Sequence, residues 1–227
     1  MSYLTGIKCW ANRHKQLIYA IKWDQIKGFN YLSPEGFYDA IQAYSLPSAG
    51  IYLDAAQAHV QCFIHMAYGA TFSITISGVS KQGGPASPLK SMFTISIGHY
   101  YLCDLVCRDK DALVVTATSN ECRDPHLKDA QLELPVAMVE ATDDSYIFSQ
   151  SIDSLVWNTL TMERFQYAYR WQTQWAKSNT YIIAPEKEKT SLNTITFKSV
   201  TIGGREVDPL TITEHTIALI KDDLDFL

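Results

Sequence analysis

The stretch Leu134–Ser149, LPVAMVEATDDSYIFS, does most to limit what this chain can fold into. An apolar run climbs to Ala141-Thr142, two carboxylates follow at Asp143-Asp144, and a second β-prone run, Tyr146-Ile147-Phe148, leads away. Two runs rich in β-branched and aromatic residues around a short polar centre specify a β-hairpin. The acids then occupy its tip, supported by a strand on each side, and rigid paired carboxylates are what a divalent metal needs. Adjacent aspartates more often serve solubility, and the chain has a second pair, Asp222-Asp223, in a polar tail. The meaning of the first pair therefore depends on its company elsewhere in the chain.

With 227 residues, 47% hydrophobic and 19% charged, the chain can bury a sizeable core and reads as one globular domain, or one plus an appendage. No apolar run approaches the roughly 20 residues that span a bilayer, and MSYLTGIKCW lacks a signal-peptide layout. A soluble, intracellular, non-membrane protein is expected. Five cysteines without a CxxC pair argue for reduced thiols and against a disulfide framework. His99, Cys103 and Cys107 fall at helical i, i+4, i+8 spacing, but a structural zinc site wants four ligands and nothing completes this set, so core packing is the better reading. A net charge of −5 and a pI near 5.6 run against the basic face usual in nucleic-acid binders.

Gln16–Trp23, QLIYAIKW, reads as a buried strand that delivers Asp24 at its C-terminal end. Ser33 and Pro34 supply an N-cap and a first helical residue for a helix to about Tyr44, with Phe37, Ile41 and Tyr44 on its packing face. A second helix is expected from about Ser48 to Ala67, burying Ile51, Tyr52, Ala55, Val60, Phe63 and Ile64. Thr71–Ser77 alternates as a half-buried strand. The glycine and proline cluster GVSKQGGPASPLKSMF then opens a helix at Ser87-Pro88, with Leu89, Met92, Phe93, Ile97 and Tyr100 as the buried stripe. Gly83 and Gly84 remove side chains where something approaches the backbone closely, or serve an ordinary tight turn. Leu113–Ala117 reads as a strand and Thr118–Ala130 as a loop. After the acidic hairpin, an amphipathic helix capped near Ser151 is expected over Ile152–Trp175. Asn179–Ala184 and Leu192–Ile202 read as strands, with Gly203-Gly204 as a hairpin turn before Arg205-Glu206-Val207.

Four blocks now stand in order, and together they resemble a known family. DQIKGFN, with Asp24 and Phe29, resembles the first catalytic motif of reverse transcriptases, and GVSKQGGPASPL, with Gln82 and Gly83, resembles their GVxQGxPLSP motif. ATDD, with Asp143 and Asp144, resembles their FADD or YADD box, and WAKSNT, with Lys177, the lysine motif that follows. The match runs from about residue 15 to 183 and is most similar to non-long-terminal-repeat retroelement enzymes of fungal type. Three departures are visible: Ala141 where an aromatic is usual, Ala86 for the leucine of PLSP, and an extra Lys81.

The resemblance implies an α+β fold: a polymerase palm with an antiparallel sheet, acids at its strand ends, helices packed against it, and the fingers truncated. Residues 1–184 would form the palm and 185–227 a β-hairpin extension leading toward a thumb. It implies an RNA-directed DNA polymerase that adds deoxynucleoside triphosphates to a DNA primer on an RNA template, in the nucleus. Two Mg²⁺ or Mn²⁺ ions would be held by Asp24, Asp143 and Asp144, with Lys177 at the leaving group. Phe29, Gln82 and Gly83 would contact the nucleotide. The basic fingers, thumb and endonuclease of a longer polyprotein lie outside the match, so the chain alone is expected to be inactive as a polymerase. Two other readings stay open: a catalytically inactive palm relic that acts at most as a binding module, and an unrelated metal-dependent phosphohydrolase.

Overall fold

The computed structural model describes residues 3–26, 33–47, 50, 60–76, 87–106, 109–117, 132–141, 144–183, 191–210 and 214–221. In chain order the elements are α1 (Tyr3–His14), β1 (Ile18–Trp23), α2 (Pro34–Ala43), β2 (Val60–Cys62), β3 (His65–Met66), β4 (Gly69–Ala70), β5 (Ile74–Ile76) and α3 (Ser87–Val106). There follow β6 (Val114–Ala117), β7 (Leu132–Pro135), β8 (Met138–Ala141), β9 (Asp144–Ser149), α4 (Ile152–Ala168), a 3₁₀ turn (Trp175–Lys177), β10 (Asn179–Ile183), β11 (Thr194–Phe197), β12 (Val200–Ile202), β13 (Arg205–Val207) and β14 (His215–Ile220). They divide into two compact units. One comprises Met1–Asp24, His99–Arg164 and Thr173–Leu227; the other comprises Gln25–Gly98 and Phe165–Gln172.

The first unit is built on a six-stranded sheet in the order β11-β14-β10-β1-β9-β8. Every pairing is antiparallel except β10 with β14, so the sheet expected to be antiparallel is mixed. β1 lies inside it, and its sequence, IYAIKW, is apolar at positions of both parities, as a strand covered on both faces must be. Ile18 and Ala20 pack with Ile7 and Ala11 of α1 and with Tyr146, Phe148 and Ile183 of the neighbouring strands. On the opposite face Ile21, Trp23, Ile147 and Ile182 are buried as well. Each such side chain contributes about 1.5–3 kcal/mol of burial. Helix α1 contains Gly6, so its own helical propensity is weak and packing holds it. Ile7 and Ala11 hold it down, and Trp10 donates its Nε1–H to the Thr116 carbonyl at 2.9 Å.

Three expectations, for two strand runs and for the helix after the acidic hairpin, are corrected. The apolar run from Leu134 to Ala141 is two strands: β7 pairs with β6 up to Pro135, the Val136 N–H still donates to the Leu113 carbonyl at 2.8 Å, and β8 restarts at Met138. Helix α4 stops at Ala168, not Trp175. Arg170 adopts a left-handed φ of 69°, and the Trp171 N–H turns back to the Gln166 carbonyl at 2.9 Å, the bond that closes a Schellman end. Nor is α4 one-sided, because every residue from Ser154 to Glu163 is buried. Leu192–Ile202 splits into β11, which pairs with β14, and β12, which turns back into β13 through Gly203 and Gly204 at φ 58° and 78°. The stretch expected as an extension, 185–227, thus supplies two strands of the six-stranded sheet.

In the second unit, α2 begins after Ser33 with Pro34 in its first turn. Ser33 makes no side-chain bond to the helix backbone; its Oγ donates to Glu35 instead. The buried face of α3 differs from the expected stripe: Leu89, Met92 and Tyr100 are exposed, whereas Lys90, Thr94 and Ile95 are buried. Gly36 explains the rotation. A Cβ at Gly36 would collide with the Thr94 Cγ2 and come within 2.9 Å of Tyr169 Cδ1, so α2 and α3 meet where one has no side chain. The Lys90 stem follows, placing its Nζ 5.8 Å from the centre of the Phe37 ring.

Of the helix expected over Ser48–Ala67, Gly50 is helical, but residues 60–67 form no helix. Residues 51–59 lie outside the described residues, but Val60–Cys62 is a strand paired with Ile74–Ile76, and His65-Met66 pairs with Gly69-Ala70. The β-branched and aromatic run Val60–Ile64 prefers a pleated backbone, and Gly69, at φ 136°, supplies the reversal. The strand expected to be half-buried is exposed, Ile74 by 46%.

The Gly36–Thr94 approach is testable. Gly36→Ala should destabilise the protein by about 1–3 kcal/mol through overpacking, read as a lowered denaturation midpoint. Thr94→Ala in the same chain should restore part of the loss. An unchanged midpoint for Gly36→Ala would show that the helices separate freely.

Candidate active site

The site is built on β1 and its two neighbours. β1 pairs with β9 in a register that sets Lys22 opposite Tyr146 and Trp23 opposite Ser145. One residue further, that register makes Asp24 level with Asp144, the first residue of β9. Across the acidic hairpin Ala141 pairs with Asp144, so the connection is the two residues Thr142-Asp143. Asp24 and the acidic tip therefore come to the same end of adjacent strands, where directly opposed residues have Cα atoms about 4.5–5.5 Å apart. Asp143 itself lies outside the described residues.

On its other side β1 pairs with β10 as far as Lys22 opposite Asn179. Beyond that point the chain preceding β10 becomes the 3₁₀ turn, and different bonds take over. The Asp24 N–H donates to Ser178 Oγ at 3.4 Å, and the Gln174 N–H donates to the Asp24 carbonyl at 2.9 Å. Trp23, fully buried, donates its Nε1–H to Thr173 Oγ1 at 3.1 Å. The backbone of Asp24 is thus fixed from the segment that carries Lys177, and Lys177 is exposed at the same end of the sheet. Glu163, only 2% exposed, anchors that segment by accepting from Trp175 Nε1 at 3.0 Å and from the Leu210 N–H at 3.1 Å.

The structure thus brings Asp24, Asp144 and the Lys177 turn to one end of three neighbouring strands. Phe29, Gln82, Gly83 and the second acidic pair, Asp222-Asp223, lie outside the described residues. Among the described residues no three His, Cys, Asp or Glu side chains gather as a metal site. Of the cysteine-histidine series, His99 is lowered from its ordinary pKa by burial, Cys103 is half-buried, and Cys107 lies outside the described residues.

Two groups close to the site carry no sequence motif. Lys22, two residues before Asp24, places its Nζ 5.9 Å from the centre of the Tyr146 ring. Glu140 lies opposite Ser145 at the base of the acidic turn, and burial pushes its carboxyl up to about 8 from an ordinary value of 4.5, against a hydrogen bond from Ser145 Oγ at 3.1 Å that pulls it down. No local pattern in MVEA singles out Glu140, because its burial comes from tertiary packing.

Comparison with solved structures places this fold beside telomerase. The apo telomerase of Candida tropicalis, truncated from its C-terminal domain, superposes with a TM-score of 0.53 at 14% identity, over 93% of this chain and 38% of that one. Telomerase of the same organism in complex with the TWJ fragment of telomeric RNA gives 0.54 at 13%, over 99% and 33%. The corresponding complex from Candida albicans gives 0.51 at 12%, over 91% and 32%. At such identities the likeness is one of fold, a mixed α/β fold similar to that of telomerase, and this chain spans about a third of the length of those chains. No protein-family model matches the sequence, and no curated protein does. No helix among the described residues is long and apolar enough to cross a membrane.

The Glu140 carboxyl gives a pH prediction. In the unfolded chain it ionises near 4.5, so between there and about 8 the folded state retains a proton that the unfolded state has released. Its contribution to stability is complete below that window and is lost as pH rises through about 8. Glu140→Gln should flatten the fall in thermal midpoint across this range relative to the parent. Parallel curves for the two proteins would refute the assignment.

Proposed function

We propose that the chain is the palm portion of a reverse transcriptase, an RNA-directed DNA polymerase of the non-long-terminal-repeat retroelement kind. The observation that carries this reading is the β1–β9 register, which brings Asp24 level with the acidic hairpin tip. The fold supports it coarsely, because telomerase is itself an RNA-directed DNA polymerase, and two of the similar structures hold an RNA fragment. RNA template, DNA primer and deoxynucleoside triphosphates are the partners this reading assigns.

Asp24, Asp143 and Asp144 offer hard oxygen donors at one strand end, which suits Mg²⁺ or Mn²⁺. Two such ions, when bound, activate a primer 3′-hydroxyl and neutralise a leaving pyrophosphate. The chain's own task is to fix the donors. Ser178 and Gln174 hold the Asp24 backbone, and the paired strands β8 and β9 flank the acidic turn. Lys177, in the turn tied to Asp24, is assigned to protonating or electrostatically stabilising the leaving group. Phe29 is assigned to the sugar, where bulk excludes a 2′-hydroxyl. Gln82 and Gly83 are assigned to the base and template, the glycine permitting close approach.

Metal binding is measurable on the chain itself. Millimolar Mg²⁺ or Mn²⁺ should raise the thermal midpoint, since a ligand of the folded state stabilises it, and Asp24→Asn or Asp143→Asn should each remove the rise. A rise that survives both substitutions places the metal elsewhere and defeats the reading. Primer extension on an RNA template needs basic groups to hold phosphates in line, and positioning of that kind is worth roughly 7–11 kcal/mol. Extension is therefore expected only when this chain is joined to fingers and thumb, and Asp143→Asn should abolish it.

In that joined polymerase, Phe29→Val should admit ribonucleotides while deoxynucleotide use is partly retained. Extension assays with each nucleotide class decide it, and unchanged discrimination would reassign Phe29 to packing.

A further inference from the structure

One residue of β1 is charged. The strand, IYAIKW, is otherwise apolar, and it lies inside the six-stranded sheet with β9 on one side and β10 on the other. Lysine is disfavoured in strands and seldom buried, because its ammonium loses water there. A lysine at this level of a central strand therefore calls for a physical reason.

Alternation along the strand locates it. Ile18, Ala20 and Lys22 share one face of β1, and α1 covers the first two with Ile7 and Ala11. Lys22 continues that face beyond the apolar cluster, half-buried, opposite Tyr146 of β9 and Asn179 of β10. Its Nζ stands 5.9 Å from the centre of the Tyr146 ring, close enough for a cation–π contact. The next residue of the same parity on β1 is Asp24, two strand steps or about 6.6 Å further on. On β9 the residue two steps before Tyr146 is Asp144. The β1–β9 register thus holds a fixed cation one level below the end of the sheet where the acids gather.

We propose that Lys22 tunes the affinity of this strand end for a divalent cation. The inference rests on the palm reading, in which Asp24 holds such an ion. The Tyr146 ring and the two ladders of β1 keep the ammonium near Asp24, so its charge opposes any cation bound there. A single and a double positive charge about 7 Å apart weaken binding by roughly tenfold even at the dielectric constant of water. The charge is what matters: arginine at this position would keep it, whereas methionine would keep only the packing of the stem.

The test is the thermal midpoint of the purified chain across a Mg²⁺ or Mn²⁺ series, for the parent, Lys22→Met, Lys22→Arg and Lys198→Met. Lys198 is exposed just after β11 and controls for overall charge. In Lys22→Met the metal concentration that gives half the rise should fall about tenfold, while Lys22→Arg and Lys198→Met stay at the parent value. A purely structural Lys22 would lower the metal-free midpoint and leave that concentration where it was. A rise that Asp24→Asn removes but Lys22→Met leaves unshifted, weakens, or shifts no more than Lys198→Met overturns this proposal alone. No rise in either the parent or Lys22→Met, or a rise that survives Asp24→Asn, overturns the palm reading and this proposal together. Should Lys22→Met not fold, the parent with ¹³C-labelled lysine decides. Mn²⁺ should broaden the ε-methylene signal of Lys22 ahead of that of Lys198, and equal broadening of the two overturns the proposal.

Discussion

Everything at the candidate site depends on where the two ladders of β1 end. The strand is buried on both faces, so a slip of one residue would move Ile18 and Ala20 out of the α1 core and Ile21 and Trp23 out of the opposite one. That penalty fixes the register against β9 and β10, and the register fixes the level of Asp24. The hydrophobic pattern of six residues thus sets the position of a carboxylate that contributes nothing to the core.

Beyond Trp23 the sheet no longer supplies partners, and side chains and turns replace it. Ser178 and Gln174 bond to the two polar groups of the Asp24 backbone, and Thr173 takes the Trp23 indole N–H. Buried backbone groups must be satisfied somewhere, and here a 3₁₀ turn satisfies them without extending the strand. The turn is held in its own right by the Glu163 carboxylate on α4. A buried carboxylate is costly unless it is hydrogen-bonded, and Glu163 accepts from both Trp175 and Leu210. The packing of α4 is in this way transmitted to the segment that carries Lys177.

What the sequence showed of this arrangement follows from how far each signal reaches. Local signals were sufficient for β1, for the Pro34 helix start, for the acidic hairpin and for the Gly203-Gly204 turn, because each rests on neighbouring residues. The error over Val60–Ala67 arose where apolar residues fitted a helical stripe and a strand alike, and pairing with Ile74–Ile76 decided between them. The buried face of α3 depended on Gly36, more than 50 residues away in the chain, and no periodicity within α3 encodes that contact. α1 was missed because tertiary packing holds it, while β14, HTIALI, is β-prone by itself and its place in the sheet is set by the parallel pairing with β10. At the site, Asp24 and the hairpin acids were legible as motifs. Ser178, Gln174 and Glu140 were not, since they act through long-range bonds or burial.

Glu140 bears on the electrostatics of the tip. Asp143 and Asp144 stand three and four residues further along the chain, Asp24 is level with Asp144, and the whole chain already carries a net charge of −5. With its carboxyl pushed up to about 8, Glu140 remains mostly protonated at neutral pH and adds no fourth negative charge. As a neutral acid it can donate a hydrogen bond as well as accept the one from Ser145, whose opposite neighbour is Trp23. The base of the acidic turn is therefore tied across the hairpin, beside β1, through a group that adds no charge to that of the aspartates.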